Sequence, residues 1–275
     1  MKIPFFKMSG SGNDFIVIDN RSRMMDTVAV PDFVRAVCRR SISLGADGLI
    51  LIEQPQSSDC DFSWRFFNAD GSEADMCGNG GRCAARYAVM NGLAGARLSF
   101  ETRAGIIHAE INGNYVKIEL PSPLAPQLNL PLTINDTNLT LYFIDTGVPH
   151  AVVLCNTIDD VPVPELGKKI RFHPRFQPAG ANVNFVSVVN TSSLIVRTYE
   201  RGVEDETLAC GTGAVAAALI TSSLGMVTSP AKVKTRSGES LTVYYDNPVY
   251  PFGRVYLEGV VRVVCSGELW EEAYS

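Results

Sequence analysis

Met76-Cys77-Gly78-Asn79-Gly80-Gly81-Arg82-Cys83 and, 133 residues further on, Ala209-Cys210-Gly211-Thr212-Gly213-Ala214 decide how the rest of this chain is read. Each opens on Cys-Gly-x-Gly. At the same offset Glu73 matches Glu206, Gly92 matches Gly225, Thr102-Arg103 matches Thr235-Arg236, Gly105 matches Gly238 and Phe66 matches Tyr199. An ungapped register over so many positions predicts two copies of one α/β unit, related by a pseudo-twofold. The length agrees, because 275 residues suffice for two cores of roughly 130 residues each.

Apolar patterning around each copy predicts alternating strands and helices. In the first half strands are expected at 15–19, 49–53, 61–67, 97–101, 106–111 and 115–120. A helix is expected over 31–44, with Phe33, Val34, Val37, Cys38 and Ser41 on one face, and another over 82–90, ended by Asn91-Gly92. Asn112-Gly113 reads as a hairpin turn. The second half is expected to carry strands at 139–144, 151–154, 183–189, 194–199, 231–235, 241–245 and 255–264, with a helix over 211–224. Pro121, Pro123, Pro126 and Pro131 disfavour helix between the halves and mark the domain boundary there.

Composition removes several classes. A chain that is 46% hydrophobic is not disordered. A net charge of −5 with no basic stripe argues against a nucleic-acid partner. No apolar run approaches the ~20 residues of a membrane helix, and the N-terminus lacks the apolar core of a signal peptide. Seven cysteines, an odd number in a chain too large to need staples, read as reduced thiols of a cytoplasmic protein. His108, His150 and His173 are scattered, so no metal site is expected.

Each Cys-Gly segment follows a strand and a turn and precedes a helix, which puts Cys77 and Cys210 at or just before helix N-termini. Unpaired first-turn N–H groups there favour a carboxylate, and the same field lowers a thiol pKa from ~8.5. Gly78, Gly80, Gly81, Gly211 and Gly213 leave room for a ligand to approach. Either cysteine taken alone is more often a packing residue, and Cys38, Cys60, Cys83, Cys155 and Cys265 are read so. Two cysteines in matched copies shift that balance toward chemistry. No Gly-Lys-Ser/Thr follows either segment, which disfavours a phosphate loop.

The two segments resemble the paired signatures of diaminopimelate epimerases. So do Lys7-Met8-Ser9-Gly10-Ser11-Gly12-Asn13-Asp14-Phe15, Gly45-Ala46-Asp47-Gly48, Phe67-Asn68-Ala69-Asp70-Gly71-Ser72 and Tyr199-Glu200-Arg201-Gly202, in order along essentially the whole chain. The resemblance implies a mixed α/β fold of two pseudo-symmetric domains, each a sheet wrapped around a central helix, with the active site in the cleft between them. Its N-terminal epimerase domain would span 1–120, completed by the C-terminal strand 263–275, and its C-terminal epimerase domain 121–262. It implies inversion of one α-carbon of LL-diaminopimelate, a small-molecule amino-acid substrate, without cofactor or metal, in a homodimer.

Cys77 and Cys210 would then be thiolate base and thiol acid on opposite faces, exchanging roles with direction. The backbone N–H groups of Gly78, Asn79, Gly211 and Thr212 would hold the α-carboxylate, and Arg201 would clamp the distal one. Asn13, Asn68 and Asn182 would contact substrate, with Glu200 and His150 supporting it or touching an ammonium group. Read without the motifs, Asn68 shapes a turn, Glu200 and Arg201 form a solvated strand end, and His150 is a satisfied loop histidine. Two positions depart from the pattern: Val148 stands where many members have Asn, and Gly48 where some have Gln. The other readings are a racemase or epimerase of another amino acid on the same scaffold, a thiol–disulfide redox protein, and a non-catalytic amino-acid-binding module.

Overall fold

Strand pairing follows the repeat in the computed structural model, which describes residues 2–134 and 137–275. Contacts group the chain into two units, Met1–Ile118 with Gly259–Ser275, and Glu119–Glu258. The first carries β1 (Ile3–Gly10), β2 (Asn13–Asp19), α1 (Val30–Val37), β3 (Gly48–Glu53), β4 (Phe62–Asn68), β5 (Glu73–Ala74), α2 (Gly78–Met90), β6 (Arg97–Thr102), β7 (Gly105–Asn112) and β8 (Tyr115–Leu120). Beyond it come β9 (Gln127–Ile134), β10 (Thr137–Asp145), β11 (Pro149–Leu154), α3 (Val163–Arg171), β12 (Asn182–Asn190), β13 (Ser193–Glu200), β14 (Asp205–Thr207), α4 (Gly211–Ser223), β15 (Ala231–Lys234), β16 (Ser240–Tyr245) and β17 (Val255–Leu269).

In the first unit β1/β2 is antiparallel, β2/β3 parallel across α1, β3/β4 and β4/β5 antiparallel, β4/β6 parallel, and β6/β7 and β7/β8 antiparallel. The second unit repeats every sense in order, from β10/β11 through the parallel β11/β12 across α3 to β16/β17. The fold is mixed α/β. The last residues of β17 lie antiparallel to β1, from Ile3 opposite Leu269 to Gly10 opposite Val261, so the C-terminal end belongs to the first unit.

Each sheet has a helix on either face. α2 and α4 are buried nearly all round, α4 through every residue from Gly213 to Ser222. A run such as Ala214-Val215-Ala216-Ala217-Ala218-Leu219-Ile220 has no polar stripe, which suits a helix enclosed by sheet. On the other face α1 and α3 are amphipathic: Phe33, Val34 and Val37 pack with Ile16, Leu49 and Phe67, and Val163 and Ile170 pack with Ala151, Val183 and Phe185. No helix among the described residues is long and apolar enough to cross a membrane.

The repeat reappears in detail. Gly92 (φ +69°) and Gly225 (φ +71°) close α2 and α4 in the same way: Gly92 N–H donates to Val89 O and Leu93 N–H to Ala88 O, and Gly225 and Met226 donate to Ser222 and Thr221. These are the paired bonds of a Schellman ending, which needs a left-handed residue. Glu73 takes a fork from Arg65 (3.0 and 3.1 Å), and Glu206 takes one from Arg197 (2.7 and 2.8 Å).

Several sequence expectations are corrected. Glu73 lies opposite Phe67, and Glu206 opposite Tyr199, so Tyr199 corresponds to Phe67 and not Phe66; the second turn is one residue longer. The helix expected over 31–44 stops at Val37, and Ser41 is exposed with φ +68°. The chain turns there to bring Arg40 onto Asp14 and Asp47. The helix expected from Arg82 begins at Gly78, because the glycine-rich segment is itself its first turn. The hairpin turn is Gly113-Asn114, with Asn112 paired to Tyr115 and Gly113 at φ +62°. Unforeseen elements are β1, β5, β9, β14 and α3. Val30-Pro31-Asp32-Phe33 and Val163-Pro164-Glu165-Leu166 share the 133-residue offset, a signal that would have found α3.

Candidate active site

In the first unit Cys77 is the N-cap of α2 (φ −140°, ψ 116°), half-buried, and its Sγ accepts from Gly80 N–H at 3.4 Å. The first helical bond is Gly81 N–H to Cys77 O at 2.8 Å, so the N–H groups of Gly78 and Asn79 precede the ladder, as a bound anion would require. Cys83, in the same helix, is fully buried, and burial pushes its thiol up to about 12; Cys38 is pushed up to about 12 for the same reason. Both are packing residues at neutral pH.

A directional chain of amides runs beside Cys77. Arg82 donates to Asn79 Oδ1 (2.8 Å), Asn79 Nδ2 donates to Asn13 Oδ1 (2.6 Å), and Asn13 Nδ2 donates to Asp47 Oδ2 (3.0 Å). With a cation at one end and a carboxylate at the other, neither amide can be turned over without opposing like dipoles. Arg40 bridges Asp47 and Asp14, and Lys7 pairs with Asp14 at 2.8 Å while its ammonium also meets Gly45 O. Burial would raise the Asp14 carboxyl, but hydrogen bonds from Arg40 and Lys7 outweigh it and hold the group below its usual value. Sequence reasoning found Asn13 and Asn79 and missed Arg82, Asp47 and Lys7, each of which also has a partner far along the chain: Ser11 for Arg82, Asn13 for Asp47 and Gly45 for Lys7.

Asn68 is exposed, and its Nδ2 donates to Ser72 Oγ at 3.1 Å within its own turn. Gly48, one of the departures, lies opposite Asn68 in the β3/β4 ladder. A Cβ there would stand 2.5 Å from Phe67 O and 2.7 Å from Phe66 Cε2, so this backbone accepts no side chain at position 48. A groove of about 630 Å³ in this unit, bordered by Pro4, Phe6, Asp19, Arg21 and Tyr87, contains none of the expected site residues.

In the second unit Cys210 is the N-cap of α4 (φ −118°, ψ 113°) and is buried, with Sγ 3.5 Å from Thr212 Oγ1. Ala214 N–H to Cys210 O (2.9 Å) is the first helical bond, which leaves Gly211 and Thr212 ahead of the ladder. None of the seven cysteines is in a disulfide. Asn182 is buried at the start of β12: its Oδ1 accepts Arg201 N–H at 2.8 Å, and its Nδ2 lies 3.4 Å from Pro149 O. Arg201 is half-buried just past β13, with Nη1 3.3 Å from Ala179 O, and Glu200 ends that strand opposite Asp205. Val148 precedes β11 and supplies no side-chain hydrogen bond.

His150 lies beside Asn182 in the parallel β11/β12 register and is fully buried. Burial, reinforced by the Arg201 charge, lowers it to about 3 from 6.5. Below about 6.5 the unfolded chain takes up a proton that the folded ring refuses. The stability held by the neutral ring is therefore complete above pH 6.5 and drains away as pH falls toward 3. Urea midpoints at pH 7 and pH 4.5 should fall further apart in the natural protein than in His150→Gln; an equal drop would assign acid sensitivity to other groups.

Among solved structures the chain resembles a phenazine biosynthesis protein of the PhzF family from Bacillus anthracis (17% identity, TM-score 0.72, 98% of this chain and 99% of that one). It also resembles a hydroxyproline epimerase from Agrobacterium vitis (14% identity, TM-score 0.69, 98% and 93%). These likenesses define the fold class, that of PhzF proteins and amino-acid racemases and epimerases. The model of the family "Diaminopimelate epimerase" matches residues 5–120 and 142–260. Diaminopimelate epimerases of Aquifex aeolicus (strain VF5) and Archaeoglobus fulgidus are 48% and 42% identical over 98% and 96% of this chain, each over 98% of its own length. The chain belongs to the diaminopimelate epimerase family.

Proposed function

We propose that the chain is an isomerase that inverts one α-carbon of LL-2,6-diaminopimelate to give the meso form, toward lysine and peptidoglycan precursors, without a cofactor. Cys77 and Cys210 serve as base and acid. One observation carries the reading: in both units a cysteine occupies the N-cap position of an enclosed helix whose first-turn N–H groups precede the hydrogen-bond ladder.

The α-C–H of an amino acid is a very weak acid, so the developing carbanion needs fixed positive potential. A carboxylate held by the N–H groups of Gly78, Asn79, Gly211 and Thr212 would spread that charge toward helix N-termini. One thiolate removes the hydrogen, and the other, as thiol, returns one from the opposite face. The mechanism requires both sulfurs to reach one carbon. Two thiols sharing one task ionise as a pair, and a bell-shaped pH profile would belong to the pair. Arg201 takes the distal carboxylate, held through its backbone by Asn182, and Glu200 takes an ammonium group. Asn13, set by Asp47, and Asn68 complete the contacts, and His150 supports them. The family and the reduced cysteines support a cytoplasmic homodimer.

Incubation with LL- and meso-diaminopimelate in D2O should place deuterium at an inverted α-carbon. No exchange from either stereoisomer would overturn the reading. Exchange with a different amino acid alone would move the activity to that substrate on the same scaffold.

A further inference from the structure

The His150 side chain is tied to residues that the reaction does not obviously need. Asn184, on β12, places its Nδ2 3.2 Å from Ala151 O and 3.0 Å from His150 Nδ1, while its Oδ1 accepts from Thr198 Oγ1 at 2.9 Å. Asn184 is fully buried and Thr198 nearly so. A main-chain carbonyl only accepts, so the contact with Ala151 O dictates which end of the amide is nitrogen. The second hydrogen of that nitrogen points to Nδ1, which must therefore be bare. A neutral ring with a bare Nδ1 carries its hydrogen on Nε2. That Nε2 is buried and has no hydrogen-bond partner among the described residues.

The same amide touches the helix of Cys210. A Cβ on Gly213, in the first turn of α4, would overlap Asn184 Oδ1 and lie 3.3 Å from Cys210 Cβ. His150, Asn184 and Thr198 thus lie on the face of the sheet that α4 covers. We propose that Asn184 is a positioning residue that locks His150 as the Nε2–H tautomer, so that His150 offers the substrate a hydrogen-bond donor, received by a carboxylate oxygen.

An ammonium group has only hydrogens to give and cannot be received at a nitrogen that already carries one. This removes the ammonium-contacting role from the two expected of His150. It also removes a role as base, since the one bare ring nitrogen is occupied by Asn184. A desolvated donor with no partner in the protein gains most from a charged acceptor. The Arg201 charge, which acts on this ring, favours an anion as well. The proposal rests on the epimerase reading only for the identity of the ligand.

The chain has three histidines, so its imidazole nitrogens can be assigned by 15N NMR. At pH 7 the natural protein should show His150 neutral with hydrogen on Nε2, and Asn184→Asp should move the hydrogen to Nδ1 or add a second. Hydrogen on Nδ1 in the natural protein would overturn the assignment. Adding diaminopimelate should shift the Nε2–H proton downfield; an unmoved proton in a saturated complex would overturn the carboxylate contact. His150→Asn keeps an acceptor for Asn184 but removes the distal donor, whereas His150→Gln carries an amide N–H near Nε2. The first should lower kcat/KM about 10- to 100-fold and the second distinctly less. Equal losses would make His150 merely structural. If the tautomer is observed but no α-deuterium is ever incorporated, the epimerase reading fails and the role of Asn184 stands.

Discussion

Replacing Cys77 or Cys210 by alanine is expected to lower inversion about 10²- to 10⁴-fold in both directions, the usual worth of a positioned acid or base. The fold should survive. Cys77 Sγ caps one N–H of α2 with a weakly accepting sulfur, a contact worth less than the ~0.5–2 kcal/mol of an oxygen cap, and Cys210 makes no side-chain cap bond. A finer signature separates two bases from one. Each single variant retains the thiol on one side and should still exchange the α-hydrogen, without inversion, from the stereoisomer that presents it there. Cys77→Ala and Cys210→Ala should therefore prefer opposite stereoisomers in D2O. Cys38→Ala is the control: its thiol, raised to about 12 by burial, stays protonated at neutral pH, and its loss should cost stability while inversion continues. Full inversion in either active-site variant would remove that cysteine from the mechanism.

Arg201→Ala should raise KM for diaminopimelate about 10- to 100-fold while the unfolding midpoint stays close to the natural one. A charge-assisted bond is worth about 1.5–3 kcal/mol, and a bidentate clamp supplies two. Structurally the side chain gives up little, one contact to Ala179 O, because Asn182 holds the backbone N–H and not the guanidinium. Arg201→Lys should recover only part of the loss, since an ammonium cannot fork onto a carboxylate. A substrate analogue without the distal carboxylate should bind the natural protein and Arg201→Ala alike. A parallel fall in thermal stability and activity would mark Arg201 as structural.

Legibility followed distance along the chain. The N-caps at Cys77 and Cys210 and the glycine endings of α2 and α4 depend on a few consecutive residues, and the 133-residue repeat doubled their weight. α3 escaped because Pro162, Pro164 and Gly167 lower its helical character. The glycine is needed because a Cβ at 167 would overlap Tyr199 where the helix packs on β13. β5 and β14 escaped because strands of two and three residues have no period to read.

The sequence by itself determined two α/β units, the cysteines that stand at or just before their enclosed helices, and the family. Tertiary structure alone decided which way the amides of Asn13, Asn79 and Asn184 face, which nitrogen of His150 carries hydrogen, and why position 48 is glycine. Helix ends are written in neighbouring residues, through backbone groups within one turn. Amide orientation and tautomer are set by carbonyls, carboxylates and rings tens of residues away, which meet only when strands pair.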